Sequence, residues 1–215
     1  MLIIALSTAF FVTLAVILAT RPLARKLGLM DSPGGRKAHS HDTPLIGGVG
    51  IYCGLLAACL LLPALMSEYG PLLGISALLL GTGIVDDYYP LPATVRMGIQ
   101  VLAAWMMCSI SDNQLETLGR LVSSNELFLG QYSILMTIFG TVGVINAINM
   151  IDGMDGLSGG MVGICLVMLV IATGIHWNNA PFLHMSLLVL ACVMAFLMLN
   201  FRALQNKPAL IYLGD

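Results

Sequence analysis

Seven apolar runs follow one another along this chain, and they leave few folds open to it. They lie at roughly 1–20, 45–66, 70–85, 93–110, 127–145, 157–176 and 181–200. Crossing the ~30 Å hydrocarbon core of a bilayer takes about 20 residues of helix. The chain is 58% hydrophobic and only 9% charged, whereas a soluble domain is about a quarter charged. The expected architecture is therefore all-α: a polytopic membrane helix bundle of about seven transmembrane helices. It forms a single transmembrane domain over residues 1–215, with no soluble domain, linker or internal repeat. The third and fourth runs are the shortest and flank a Pro-containing turn at 88–92. The first run has no basic stretch before it and no A-x-A cleavage pattern, so it reads as a retained first helix. The five cysteines all sit inside apolar runs, away from any C-x-x-C spacing, and read as small hydrophobes.

Orientation follows from the basic residues, which collect on the cytoplasmic side of membrane helices. The segment after the first run holds Arg21, Arg25, Lys26, Arg36 and Lys37. With that segment in the cytoplasm, alternation puts Arg96, Arg202 and Lys207 there too. Only Arg120 falls outside, among Asp112, Glu116 and Glu126. The N-terminus is expected outside. Acidic residues barely influence topology. Even so, Asp31, Asp42, Asp86, Asp87, Asp152, Asp155 and Asp215 all fall at the cytoplasmic ends. That pattern implies one cytoplasmic site built from four loops.

The stretch 146–160, N-A-I-N-M-I-D-G-M-D-G-L-S-G-G, is the most demanding part of the chain. Asn146, Asn149, Asp152 and Asp155 recur every third residue. On a helix or tight helix end that spacing puts them on roughly one face. An ionised Asp at a bilayer centre costs about 2.5–3.5 kcal/mol on insertion scales. A polar helix end with a glycine-rich turn would explain the glycines but not four oxygen-bearing side chains in register. Carboxylate and carboxamide oxygens suit Mg²⁺ or Mn²⁺, which complete their shells with water and substrate phosphate.

Three other segments add to it. Asp86 and Asp87 follow G-T-G-I-V. Adjacent carboxylates repel, and neighbours on a helix point in different directions, so the two are expected to have different partners. An acidic cap is the plain reading, but acids are poorly placed against a helix C-terminal dipole. In the first loop, Arg36, Lys37 and His39 offer donors to a phosphate or diphosphate. Gly47 and Gly48 open a helix whose free N–H groups could serve the same ligand. Basic juxtamembrane residues are also expected from orientation and anionic lipid alone. Arg96 and Asn146 complete the candidate substrate-binding set. Asp215 closes the chain after Asn200 and a Pro-Ala-containing stretch. His176 and His184 fall on the outer side and receive no role.

Taken alone, these residues describe a metal-dependent membrane enzyme acting on a phosphorylated substrate. A cation- or proton-coupled transporter would use the same residue types, but nearer the bilayer midplane. A scaffold has no use for this density of acids.

The motifs, in order, resemble the polyprenyl-phosphate N-acetylhexosamine-1-phosphate transferase family. They are R-K-x-H at 36–39, T-P-x-x-G-G at 43–48, D-D at 86–87, N-x-x-N-x-x-D-G-x-D-G at 146–156, and N…P-A…G-D ending at Asp215. The D-x-P-x-x-R-K-x-H form at 31–39 is closest to the bacterial undecaprenyl-phosphate N-acetylglucosamine-1-phosphate transferases. A CDP-alcohol phosphotransferase motif fails, because Asp155-Gly156 is followed by L-S-G-G and not by x-x-A-R.

The resemblance implies a glycosyltransferase of the bacterial inner membrane with its site in the cytoplasm. Undecaprenyl phosphate would attack a UDP-N-acetylhexosamine and release UMP, starting O-antigen, lipopolysaccharide or other cell-wall polysaccharide synthesis. Mg²⁺ would be the cofactor, with Mn²⁺ as a substitute. By matching positions, Asn149 and Asp215 would be the metal ligands. Asp86, Asp87, Asp152 and Asp155 would be the catalytic acids. The implied partners are undecaprenyl phosphate, the UDP-sugar and membrane lipid, with room for a homodimer and none for nucleic acid. The family pattern runs on past Asp215 into further helices and a His-rich loop, and it has Met where Leu213 stands. On that expectation the chain is a truncated form with little or no transferase activity by itself. UMP release from UDP-N-acetylglucosamine by the purified 215-residue chain in detergent checks this. Robust turnover abolished by Asn149→Ala or Asp215→Asn would overturn it.

Overall fold

Helix dominates the chain because each apolar run must satisfy its backbone amides internally in a lipid setting. The computed structural model describes residues 1–31, 43–111, 114–120, 126–152, 156–177, 179–201 and 210–214. Seven α-helices run through them: α1 Leu2–Leu27, α2 Gly47–Leu60, α3 Pro63–Tyr88, α4 Ala93–Ser111, α5 Ser133–Ile151, α6 Leu157–Ala172 and α7 Ala180–Asn200. A single π-helical turn, Thr173–Trp177, extends α6. The strands β1 Met30–Asp31 and β2 Thr43–Pro44 pair antiparallel, Met30 opposite Pro44 and Asp31 opposite Thr43. This small pair closes the base of the first loop. Arg36, Lys37 and His39 lie in that loop, outside the described residues.

Six of the seven helices are long and apolar enough to cross a membrane. α2 is the exception, which corrects the expected seventh span over 45–66. It has 14 residues, about 21 Å at 1.5 Å per residue. Pro63 ends it. A proline cannot supply the helical N–H, and it pushes the preceding residue out of the α region. Leu62 accordingly sits at φ −124°, and Pro63 restarts the chain at the first turn of α3. At the other extreme, α1 runs seven residues beyond the expected Thr20 end. Arg25 and Lys26 occupy its last turn, where cations complement the helix dipole. Gly28 then terminates it at φ 76°, and the Leu29 N–H returns to the Ala24 carbonyl at 3.0 Å.

The bundle is centred on α1, α2 and α7. Ala5, Ala9, Thr13 and Ile17, each four residues apart on α1, are fully buried. Facing them on α2 is a small-residue row at the same spacing, Gly50, Gly54 and Ala58. Such rows let membrane helices approach closely, since lipid offers no hydrophobic drive to bring them together. A Cβ on Gly54 would lie 2.0 Å from the Thr13 Oγ1 and 2.7 Å from the Ala9 carbonyl oxygen. Phe196 of α7, also fully buried, fills the space over Gly47 and Gly159. Outside this centre, α5 buries only Ser133 and Thr137 among its described residues. Those two hydroxyls fasten the outer connection: the Leu115 N–H donates to the Thr137 Oγ1 at 2.8 Å, and the Ser133 hydroxyl donates to the Leu115 carbonyl.

Replacing Gly54 by Ala should destabilise the bundle by about 1–3 kcal/mol, the usual cost of overpacking. Gly74 has open space around its Cβ position, so Gly74→Ala should be neutral or stabilising by up to about 1 kcal/mol. Thermal unfolding of the two variants in detergent separates these outcomes.

Candidate functional site

The polar ends of α3, α4 and α5 converge with the start of α2 and the segment 210–214 around one cavity of about 500 Å³. Asp86 and Asp87 come from the last turn of α3, Arg96 and Gln100 from the first turns of α4. Asn146 and Asn149 come from the last turns of α5, and Asp152 from its end. Gly48 and Gly214 complete the polar part. The rest of the lining is apolar, including Ile51, Leu79, Leu80 and Ile145. These lie one or two helical turns further into the bundle than the acids. Leu79 precedes Asp86 by seven residues, about 10 Å of helix rise.

The two neighbouring acids do have different surroundings. Asp86 is buried. Its Oδ1 accepts the Leu91 N–H at 2.6 Å, and its Oδ2 accepts from Arg96 Nη1 at 2.7 Å. It therefore ties the end of α3 to the connection and to the start of α4 across the Pro-containing turn. The Arg96 charge also offsets the placement of an acid at a helix C-terminus. Arg96, expected to bind substrate, is in the first place the counter-ion of Asp86. Asp87 is half-buried and lies beside the backbone of Gly214. A Cβ on Gly214, at φ +89°, would sit 2.8 Å from the Asp87 Oδ2.

Of the four residues spaced by three, Asn146 and Asn149 are helical and Asp152 follows directly after α5. All three line the cavity. Asp155 and Asp215 lie outside the described residues. Asn146 Nδ2 donates to the Val142 carbonyl at 2.8 Å and to Gln100 Oε1 at 2.6 Å. The Asp152 Oδ1 accepts from the Ser158 hydroxyl at the start of α6. Asn149 is exposed to the cavity and its side chain makes no hydrogen bond among the described residues. Those residues contain no cluster of three or more Asp, Glu, His or Cys placed to hold a metal.

The reading of Gly47 and Gly48 as free donors is corrected. Their N–H groups donate to the carbonyls of Tyr212 and Leu213, each at 2.9 Å. A helix start must place its first amides somewhere, and here the extended segment 210–214 takes them. Tyr212 also pairs with Leu45 in a parallel bridge and donates its N–H to the Pro44 carbonyl at 2.9 Å. The glycines permit that close approach: a Cβ on Gly47 would lie 2.9 Å from the Tyr212 oxygen and 2.5 Å from the Phe196 ring.

Three side chains of the site escaped the sequence reading. Gln100 was visible as a lone carboxamide in the fourth apolar run. Ser158 lay within the glycine-rich string as an apparent spacer. Asn200 opened the last motif without any role attached to it.

The chain matches glycosyl transferase family 4 over residues 70–215. It belongs to that family. The first loop and the start of α2 precede the matched region but lie within alignments to individual relatives. Over 207 residues the chain is 35% identical to a Haemophilus influenzae protein named undecaprenyl-phosphate alpha-N-acetylglucosaminyl 1-phosphate transferase, covering 95% of this chain and 57% of the relative. A Pasteurella multocida protein of the same name is 33% identical over 220 residues, covering 100% of this chain and 60% of the relative. An Escherichia coli K12 protein, again of that name, is 29% identical over 134 residues, covering 62% and 36%. The chain thus spans less than two thirds of the length of these curated relatives.

Asp86→Ala should leave the Leu91 N–H and the Arg96 guanidinium without this shared acceptor. The expected loss is about 1–3 kcal/mol for a buried donor stripped of its partner. Arg96→Ala should share much of that loss, so the double variant should fall short of the sum. Thermal unfolding of the two single variants and the double variant measures the coupling.

Proposed function

We propose that the site transfers N-acetylglucosamine-1-phosphate from UDP-N-acetylglucosamine to undecaprenyl phosphate and releases UMP. The family and the names of the relatives support the reaction. The observation on this chain that carries it is the amphiphilic cavity. Its acids and carboxamides stand at the helix ends, and its apolar walls reach deeper. A lipid phosphate has that shape, with its headgroup among the polar residues and its first isoprenoid carbons against Leu79, Leu80 and Ile145.

In the transfer, an oxygen of the lipid phosphate forms a bond to the sugar-linked phosphorus. The bond from that phosphorus to the bridging oxygen breaks, and UMP carries the electron pair away. A phosphate monoester has a second pKa near 6, so the nucleophile is already ionised at neutral pH. The site's task is then to orient two anions in line and to offset their repulsion. Asp86 has both oxygens engaged in holding α3 to α4, and Asp87, which lines the cavity beside Gly214, is the candidate to handle the attacking phosphate. Asp152, held by Ser158, lines the acidic wall, and Asp155 would add to it by its place in the motif. Arg36, Lys37 and His39 would bind the diphosphate.

The donor set fits Mg²⁺. Asn149 presents a carboxamide to the cavity, and Mg²⁺ usually takes one or two protein oxygens together with water and phosphate. Asn149 and Asp215 would hold it. When bound, the ion would neutralise charge on the diphosphate. The run of basic residues after the first helix supports a cytoplasmic site, and the bacterial relatives support an inner membrane, where the product would start a cell-surface polysaccharide. The transporter reading has little to stand on, because the acids lie at helix ends and not at mid-depth.

Exchange of labelled UMP into UDP-sugars tests the reading, on this chain and on a form extended to the length of the relatives. Mg²⁺-dependent exchange into UDP-N-acetylglucosamine is expected in the extended form, falling about 10²–10³-fold there in Asn149→Ala and Asp87→Asn. Cation flux in liposomes without any exchange would overturn it.

A further inference from the structure

Asn200 is the last residue of α7 and is 1% exposed. Its carboxamide bridges two segments that are far apart in sequence. Oδ1 accepts the Gly156 N–H at 2.7 Å, and Nδ2 donates to the Ile211 carbonyl at 2.8 Å. Burying a carboxamide is unfavourable unless it is paired, and here both ends are. Gly156 directly follows Asp155 and opens α6 at φ +79°. Ile211 begins the run that leads through Gly214, beside Asp87, to Asp215. Among the described residues no backbone hydrogen bond joins 156–160 to 210–214. The side chain of Asn200 makes that connection instead. The Phe201 ring packs against Gly156, where a Cβ would lie 2.3 Å from it.

We propose that Asn200 is a positioning residue: by clamping Gly156 and Ile211, it sets the spacing between the start of α6, where Ser158 holds Asp152, and the strip 210–214, which lies against Asp87. It does not line the cavity, so it acts through the segments it holds. The geometry demands one acceptor and one donor on a short arm. Asp supplies the acceptor alone, Leu supplies neither, and Gln is one methylene too long. The inference rests on the proposed function in taking both segments as parts of one metal–phosphate site.

The test uses the full chain in detergent with Mn²⁺ as the probe, its affinity measured by electron paramagnetic resonance. Backbone hydrogen exchange is followed at peptides covering 156 and 211, alongside thermal unfolding. Asn200→Ala should speed exchange at both segments and weaken Mn²⁺ binding about tenfold or more, as for residues that orient metal ligands. Asn200→Asp keeps the acceptor for the Gly156 N–H but loses the donor to the Ile211 carbonyl, so Gly156 should stay protected while the amides of 210–214 exchange faster and Mn²⁺ affinity falls. This split is one that a purely structural role would not produce. Faster exchange with unchanged Mn²⁺ affinity would overturn the positioning role, as would no change in either. If Mn²⁺ binding responds to Asn149→Ala but not to Asn200→Ala, this proposal alone fails. If wild-type binding is insensitive to Asn149→Ala, the metal site itself is misread and both fall.

Discussion

Gly47 and Gly48 begin α2 by donating their amides to the carbonyls of Tyr212 and Leu213, and the polar face of the bundle depends on that exchange. A helix that starts at a membrane boundary has amides with no partner inside the helix, and lipid supplies none. The segment 210–214 answers that need in extended form. It runs past Leu45, passes Asn200, and brings Gly214 against Asp87. Three neighbourhoods of the sequence therefore meet on one strip of backbone: the start of α2, the end of α3 and the end of α7. The glycines at 47 and 214 allow the strip to lie as close as it does.

The same face shows how a membrane protein can hold many acids. None of the described site acids sits mid-helix. They occupy last turns or the residues just beyond, where water and headgroups are within reach, and apolar walls begin only a turn or two deeper. Asp86 is the most enclosed, and it is also the one with an arginine and a backbone N–H on its oxygens. A buried carboxylate stripped of such partners would be among the most costly groups in the fold. Asp86 and Asp87 are adjacent in sequence, yet one anchors α3 to α4 and the other faces the cavity.

Much of this was legible in the sequence, and the exceptions share a cause. Apolar runs betray helices, because lipid allows little else. Spacing by three put Asn146, Asn149 and Asp152 on one wall. What could not be read were matters of pairing between distant segments. Gly47 and Gly48 have the signature of an anion site until Tyr212 and Leu213 are seen on their amides. The ion pair of Arg96 with Asp86 spans ten residues and a turn, and no spacing in the sequence announces it. Asn200 is one polar residue at the end of an apolar helix, and only the fold reveals two backbone groups at its tip. The early end of α2 was legible in Pro63 but was outweighed by an apolar run that continues through it. The length of α1 was hidden because its last turns carry cations, which mark the end of an apolar run but not of a helix.

The bond between Gly47 and Tyr212 also imposes an order in time. The two residues are 165 positions apart. At synthesis rates of about 5–20 residues per second, roughly 8–33 s separate the emergence of the donor from that of its acceptor. Throughout that interval α1 and α2 already have their small-residue faces and can pack. The first amides of α2 have only water and headgroups. The apolar interior of the bundle is thus available earlier in biosynthesis than the polar face, which waits for residues 210–214.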